Sequence, residues 1–593
     1  MSRSSTRWIG VTLAIFALVL PIHAQNVLTI RVESIESLLD DVDTIAVALG
    51  QPKGSAEGWL QMAQGALGMP GFDWVDTKNP FVLALPLQGM MLGQNGFVGA
   101  LPVADVDAAI AAMKSAVEGV EIDENGLIHV PTGEGSEMLL LPTNGYLVFG
   151  QNANLVGGFD PTGLLSGADL PPGTIAVEFN VDSMRAMIGM AMQGVRQQIA
   201  GAIAKGAEQG GESMDAESAV AASDMAIEWL EALIANTRSV QLGLEVTDSH
   251  LIVHNHYLPT AGSTLEGFLR AQKGGMPDVA GLLDDENSSM TVVGNVTWTD
   301  EATAAFEGFM DGYSSMLQSV MANNEDLGEM GPLADLLPGM MDQYASLWKC
   351  MRGDLAQVVH TSGGLQFTQV SGIRDSEECG DLGQMILDMV SGLPEAVSEI
   401  FTISPDGLTH RGVTAIEYGV DIGKFVKLQD EEGAAEVTKM LSGMFGEDGF
   451  KTYMAQVDGY WISSGGAGAD ESMRLMIERI KDKKSGDGID ESVFEPFTVG
   501  AGFYFMVDFG RFFGGFSQFL PEGDDMAQLA QIQEVLGALG AMTGGIDFQR
   551  DALGLKFAMP TAGLSTIAEM ARRKAADEVD DDDPDPDGGD PTE

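Results

Sequence analysis

The chain has 593 residues, with 87 acidic against 31 basic side chains, a formal net charge of −56, and two cysteines. Such an excess of carboxylate excludes nucleic acid and anionic membrane surfaces as partners, since lysine and arginine must neutralise their phosphates. Two cysteines exclude a disulfide-rich scaffold and a four-cysteine zinc site, while an apolar content of 45% is ample for folded cores.

Residues 1–24 read as a secretory signal peptide. Arg3 and Arg7 precede the apolar run Trp8 to Pro21, and Ala24 is a small residue at the expected cut. That run is too short for an ordinary spanning helix, and no later stretch of about 18 apolar residues follows, so no transmembrane span is expected after signal removal. The expected address is export, to the periplasm, the cell surface or the medium.

Phe97 to Pro102 predicts a strand, and Asp105 opens a helix that runs to Val117. Leu127 to Val130, Met138 to Leu141 and Tyr146 to Phe149 then form a meander, with Asn144-Gly145 suited to a type I′ turn. A strand from Thr174 to Val181 enters a helix at Asp182 or Ser183. Met184, Met187, Ile188 and Met192 crowd that helix. Flexible thioethers suit either an ordinary core or an adaptable groove, so these four are the candidate apolar-ligand residues. A further helix, Glu217 to Asn236, leads to the hairpin Val240 to Val246 and Leu251 to Leu258. Alternation there puts Val240, Leu242, Leu244 and Val246 on one face, expected to be buried. It leaves Ser239, Gln241, Gly243 and Glu245 expected to face water.

His250, His254 and His256 share parity on the second strand of this hairpin, so their side chains point to one face. His254 and His256 lie ~7 Å apart along the strand, close enough to share a zinc or copper ion with a third ligand. Partly buried or surface histidines are the plainer expectation.

Met290 to Trp298 predicts a strand capped by Thr299 or Asp300, with a hairpin at Leu355 to His360 and Leu365 to Val370. After export, Cys350 and Cys379 would sit in an oxidising compartment, where a pair usually forms a disulfide. Two buried thiols are the alternative, because spacing alone does not fix their distance. Glu417 to Ile480 holds a helix from Gly433 to Phe445 and a hairpin at Asp458-Gly459. Phe503 to Val507, with Asp508 as cap, leads to a last hairpin within Ile546 to Met559.

Two pairs of blocks recur in the same order. Leu258-Pro-Thr-Ala-Gly262 matches Met559-Pro-Thr-Ala-Gly563, and the turn before Tyr146 matches the turn before Tyr460. This predicts a duplication. Aligning the Pro-Thr-Ala-Gly blocks places Leu555 and Phe557 where His254 and His256 stand. The expected fold is α+β, with internally duplicated antiparallel sheets, helices packed on one face and a disordered acidic C-terminal tail. The expected segments are the signal peptide 1–24, a first repeat half 25–285, a middle unit 286–396, a second half 397–576 and the tail 577–593. Asp284 to Asn287 and Lys481 to Glu491 read as soft joints.

In the tail, Asp583, Asp585, Asp587 and Asp590 with Gly588 imitate the start of a calcium loop, but the bidentate Glu that would close it is missing. No Gly-x-Ser-x-Gly, His-Glu-x-x-His or phosphate-loop pattern occurs.

Strands ending in Val181-Asp182, Val507-Asp508 or Val103-Ala-Asp105 before a helix, with Gly145-Tyr146 and Gly459-Tyr460 hairpins, resemble uncharacterised exported bacterial proteins. Those are built from repeated strand–helix–helix–hairpin units. The resemblance implies export and a repeated α+β architecture, and no activity. The expected function is that of an exported, non-enzymatic binding or structural protein. Its partner would be an apolar ligand or another protein, and it would need no resident cofactor. The alternatives are a metal-dependent hydrolase using the His-x-His strand and a calcium-responsive cell-surface protein.

Overall fold

The computed structural model describes residues 26–56, 58, 61, 73–90, 96–133, 136–165, 172–208, 227, 230–304, 346–375, 379–391, 401–427, 441–442, 444–445, 449–517, 537, 539–566, 568–570 and 572. The signal peptide, the tail with Asp583, Asp585, Asp587 and Asp590, and most of the helices expected at 217–236 and 433–445 lie outside these residues.

Twenty strands form one antiparallel sheet. The first ten are β1 (Asn26–Val32), β2 (Phe81–Pro86), β3 (Val98–Pro102), β4 (Glu121–Ile122), β5 (Ile128–Gly133), β6 (Ser136–Thr143), β7 (Tyr146–Gly150), β8 (Ile175–Asn180), β9 (Thr237–Val246) and β10 (His250–Pro259). The second ten are β11 (Met290–Asn295), β12 (Met351–His360), β13 (Gln366–Ile373), β14 (Phe401–His410), β15 (Val413–Val420), β16 (Phe450–Val457), β17 (Tyr460–Gly466), β18 (Gly502–Asp508), β19 (Ala541–Gln549) and β20 (Ala552–Pro560). Following the hydrogen-bonded pairs, the first ten run in the order β4-β5-β6-β7-β3-β2-β1-β8-β9-β10. The second ten run β14-β15-β16-β17-β13-β12-β11-β18-β19-β20. The order is the same with ten added to each number, and the two sets join where β10 pairs with β20.

Local chemistry explains the connections. Asn144 and Gly145 (φ 49° and 83°) and Asp458 and Gly459 (φ 46° and 86°) turn β6 into β7 and β16 into β17 with the positive φ of type I′ turns. Ser34 caps α1 (Ile35–Ala48) and Asp105 caps α2 (Val106–Ala116) by accepting backbone N–H bonds. Thr299 and Asp508 act as expected, accepting from Ala302 N at 3.1 Å and Arg511 N at 2.9 Å. The helix expected to open at Asp182 or Ser183 begins earlier, as α3 (Val181–Glu208). Its cap is Asn180, whose Oδ1 accepts from Ser183 N at 2.9 Å.

At β7 and β17 helices cover both faces of the sheet, not one as expected. In the first set, Val148 packs with Leu155 and Val156 of a short helix (Ala153–Gly158), whereas its neighbour Leu147 packs with Ala109 and Met113 of α2. In the second set, Trp461 meets Leu382 of α4 (Leu382–Ser391), and Ile462 meets Met473 and Ile477 of α5 (Ala469–Asp482). Consecutive strand residues point to opposite faces, so β7 and β17 are sandwiched. The unbroken apolar run Tyr146 to Phe149 of β7, and Tyr460 to Ile462 at the start of β17, are the sequence mark of strands buried on both sides.

The two expected soft joints are bound to each other. Gly486 N donates to Gly281 O at 2.8 Å and Gly488 N to Leu283 O at 3.0 Å. Asp284 accepts from Asp487 N, Asp285 accepts from Asp490 N, and Arg479 pairs with Asp284. These loops form an ordered clasp on the second set of strands.

Candidate functional site

The middle of the sheet, β8-β9-β10-β20-β19-β18, has one polar face and one apolar face, and the polar one is the buried one. On β9, Gln241 is 0% and Ser239 1% exposed, while Leu242 is 46% exposed. Alternation correctly groups the side chains, but the expected burial is inverted.

The polar face centres on histidine. His254 and His256 are buried, with rings 6.2 Å apart in an edge-on arrangement. His254 Nε2 is 3.0 Å from Glu245 Oε2. Burial pushes the His254 imidazole below its ordinary value, opposed by Glu245 and helped by Lys556. Burial also lowers His256, with His254 and Lys556 adding to the effect. A neutral His254 donates its Nε2 proton to Glu245 and leaves Nδ1 as an acceptor. His250, at the start of β10, hydrogen-bonds Ser249 Oγ at 2.9 Å and stands apart from the other two. Among the described residues no three His, Cys, Asp or Glu side chains are grouped to hold a metal ion.

Across the junction, His254 pairs directly with Lys556. Lys556 Nζ lies 2.6 Å from Asp547 Oδ2, and Gln549 donates to the same oxygen at 2.8 Å. These residues were invisible to the alignment of Pro-Thr-Ala-Gly blocks, which offered Leu555 instead. A better signal was the distance from each hairpin tip. Asp248-Ser249 and Arg550-Asp551 are the tips. Counting outward, Glu245 and Asp547 hold one place, and His254 and Lys556 another. The blocks mislead by one position because the chain leaves the sheet differently: Thr260 to Ser263 form a loop, whereas a helical turn starts at Thr561.

Among the described residues, five buried polar atoms on this face of β9 and β10 have no hydrogen-bond partner: Thr237 Oγ1, Ser239 Oγ, Gln241 Oε1, His254 Nδ1 and His256 Nε2. Such an orphan typically costs about 1–3 kcal/mol. His256 sits opposite Gln241, and Leu258 opposite Ser239, so the five occupy adjoining rungs. A cavity of about 590 Å³ opens here, lined by His254, His256, Lys556, Gln549, Arg238 and Glu266 among others.

The opposite face carries two apolar rows. Leu244, Val253, Phe557, Gly544 and Phe505 form one, and Leu242, Asn255, Leu555, Ile546 and Phe503 the other. Leu242, Val253, Ile546, Leu555 and Phe557 are all exposed. Five strands give four spacings, ~19 Å of apolar surface. At one end Phe503 enters an apolar cavity of about 240 Å³ shared with Trp298, Trp348 and Trp461. Asn255 is the one polar side chain in the rows, and its Oδ1 has no hydrogen-bond partner.

The methionine helix α3 packs against β9 and β1. Met184 is buried, while Met187, Ile188 and Met192 are half-buried. Cys350 and Cys379 are joined, with Cα atoms 5.4 Å apart, among Ile373, Leu382 and Trp461.

No family model, curated protein or solved structure matches this chain. Among the described residues, no helix is long and apolar enough to cross a membrane.

Proposed function

We propose that this chain is an exported binding protein without catalytic activity, and that it holds a long-chain apolar ligand along the two apolar rows of β9, β10, β20, β19 and β18. One observation carries the reading: five large apolar side chains on four adjacent strands remain exposed on one continuous surface. Soluble proteins rarely leave such a patch open unless something docks there. The ~19 Å length suits an extended acyl chain. The tryptophan-lined cavity gives one end an apolar terminus. The half-buried methionines of α3, on the helix packed against β9, give it an adaptable flank.

The metal-hydrolase reading has less support, because Glu245 already engages His254 Nε2 and His250 stands apart. We also infer that β1–β10 and β11–β20 are two copies of one ancestral unit. The identical strand order and the matched hairpin tips support it. On that reading residues 286–396 belong with 397–576 in a single second copy.

Native mass spectrometry of protein purified without detergent tests the binding reading, together with titration by a fluorescent fatty acid. The expected result is a solvent-extractable adduct, and fluorescent binding that Leu242→Asp and Leu555→Asp each weaken at least tenfold. Bare chain mass with no fatty-acid binding refutes it.

A further inference from the structure

The polar face of the same junction, on the far side of the sheet from the apolar rows, has the features of a second site. His254 and His256 are 6% and 8% exposed and both line the cavity, yet each keeps a ring nitrogen without a hydrogen-bond partner. Buried polar atoms in native proteins are nearly always paired, so a cluster of orphans beside an open cavity marks groups awaiting a partner. We propose that this cavity binds a small uncharged polyhydroxylated molecule of the saccharide class.

The choice of class follows from the donors and acceptors present. Three local charge pairs are formed, Lys556 with Asp547 at 2.6 Å, His254 with Glu245 at 3.0 Å, and Arg270 with Glu266, while Arg238 and Asp551 bring one charge of each sign to the lining. An anion would face Glu266 and Asp551 in the lining, and a cation would face Arg238 and Lys556. What remains unengaged is neutral. Of the lining residues, His254 offers Nδ1 as an acceptor and His256 offers Nε2, which accepts or donates with its tautomer; Gln241, Ser239 and Thr237 add unpaired neutral groups on the adjoining rungs, outside the lining. A hydroxyl group serves either role, so a molecule carrying several of them satisfies a mixed set that neither an anion nor a cation can. The volume, about 590 Å³, falls in the usual range for small-molecule sites. The mouth lies at exposed Arg238, Ala261 and Asp551, so entry needs no parting of the sheet. This proposal stands independently of the apolar rows.

Saturation-transfer NMR and calorimetry on the full chain test it, with D-glucose, N-acetyl-D-glucosamine, maltose and myo-inositol as probes. Inorganic phosphate and putrescine serve as charged controls. At least one hydroxylated probe is expected to bind with millimolar or tighter affinity, and neither control. His256→Phe should weaken that binding at least tenfold. Ala261→Trp, a change at an exposed turn that leaves the fold intact, should close the mouth and do the same. Leu242→Asp, on the other face, should leave saccharide binding unchanged. The proposal is overturned if no hydroxylated probe binds at tens of millimolar, if a charged control binds as well, or if both cavity variants bind like the parent.

Discussion

Removing the Asp547 carboxylate should cost the junction about 3–5 kcal/mol, the usual penalty for stranding one member of a buried ion pair. Lys556 and Asp547 have side chains 15% and 9% exposed, with 2.6 Å between Nζ and Oδ2. Asp547→Ala leaves the ammonium beside His254 and His256, which Lys556 already disfavours as cations. Glu245, the nearest carboxylate place on β9, is occupied with His254. Gln549 would lose its acceptor as well. The double variant Asp547→Leu/Lys556→Met removes both charges and keeps the volume apolar. It should come within about 1 kcal/mol of the parent, because no uncompensated charge is left. Urea unfolding measures both, and hydrogen exchange of β19 and β20 amides reports whether the loss is local. Equal losses in the single and double variants would refute the electrostatic account and assign the cost to packing. A loss under about 1 kcal/mol in the single variant would mean that Lys556 reaches water by a rotamer change.

Reduction of Cys350–Cys379, separated by 29 residues, should lower stability by about 3.5 kcal/mol on the chain-entropy model. Urea midpoints that match with and without reductant would contradict it. His254 and His256 titrate below their ordinary value when folded, so the unfolded chain binds more protons. Their contribution is complete above the unfolded value of 6.5 and is lost as pH falls through the folded values. His254→Gln/His256→Gln should therefore flatten the decline in thermal midpoint between about pH 7 and pH 5, and an unchanged slope would exclude these two as its source. Ser34 Oγ accepts from Ser37 N at 2.8 Å, so Ser34→Ala should cost about 1 kcal/mol. Local exchange of the α1 amides checks this, and no change there would mean that the cap contributes nothing.

Much of the sheet was legible because turns and caps are local chemistry. Asn144-Gly145, Asp458-Gly459, Asp105, Thr299 and Asp508 all act as their residue types dictate. Side-chain parity was legible too: His254 and His256 do share a face. What alternation cannot state is which face the rest of the chain covers. Ser239 and Gln241 looked wet because they are polar, yet both are buried. Lys556 was missed for a different reason. Its place opposite His254 depends on how two distant hairpins pair, and the best sequence match lay beyond the strand, where the two connections differ. The loops at 284–287 and 481–491 looked like joints from composition, but Asp284 and Asp285 of the first accept from the backbone amides of Asp487 and Asp490 in the second.

Among the described residues, the twenty strands stand in a single row with two rims, and a chain offering such rims risks stacking onto its neighbour. Both rims here are poor templates. β4 is only two residues, Glu121 and Ile122, both exposed. β14 breaks its register between Ser404 and Leu408, where Pro405 supplies no amide and Asp406 is exposed. A few residues at each rim thus disfavour the edge-to-edge pairing by which such a long row would grow into fibres.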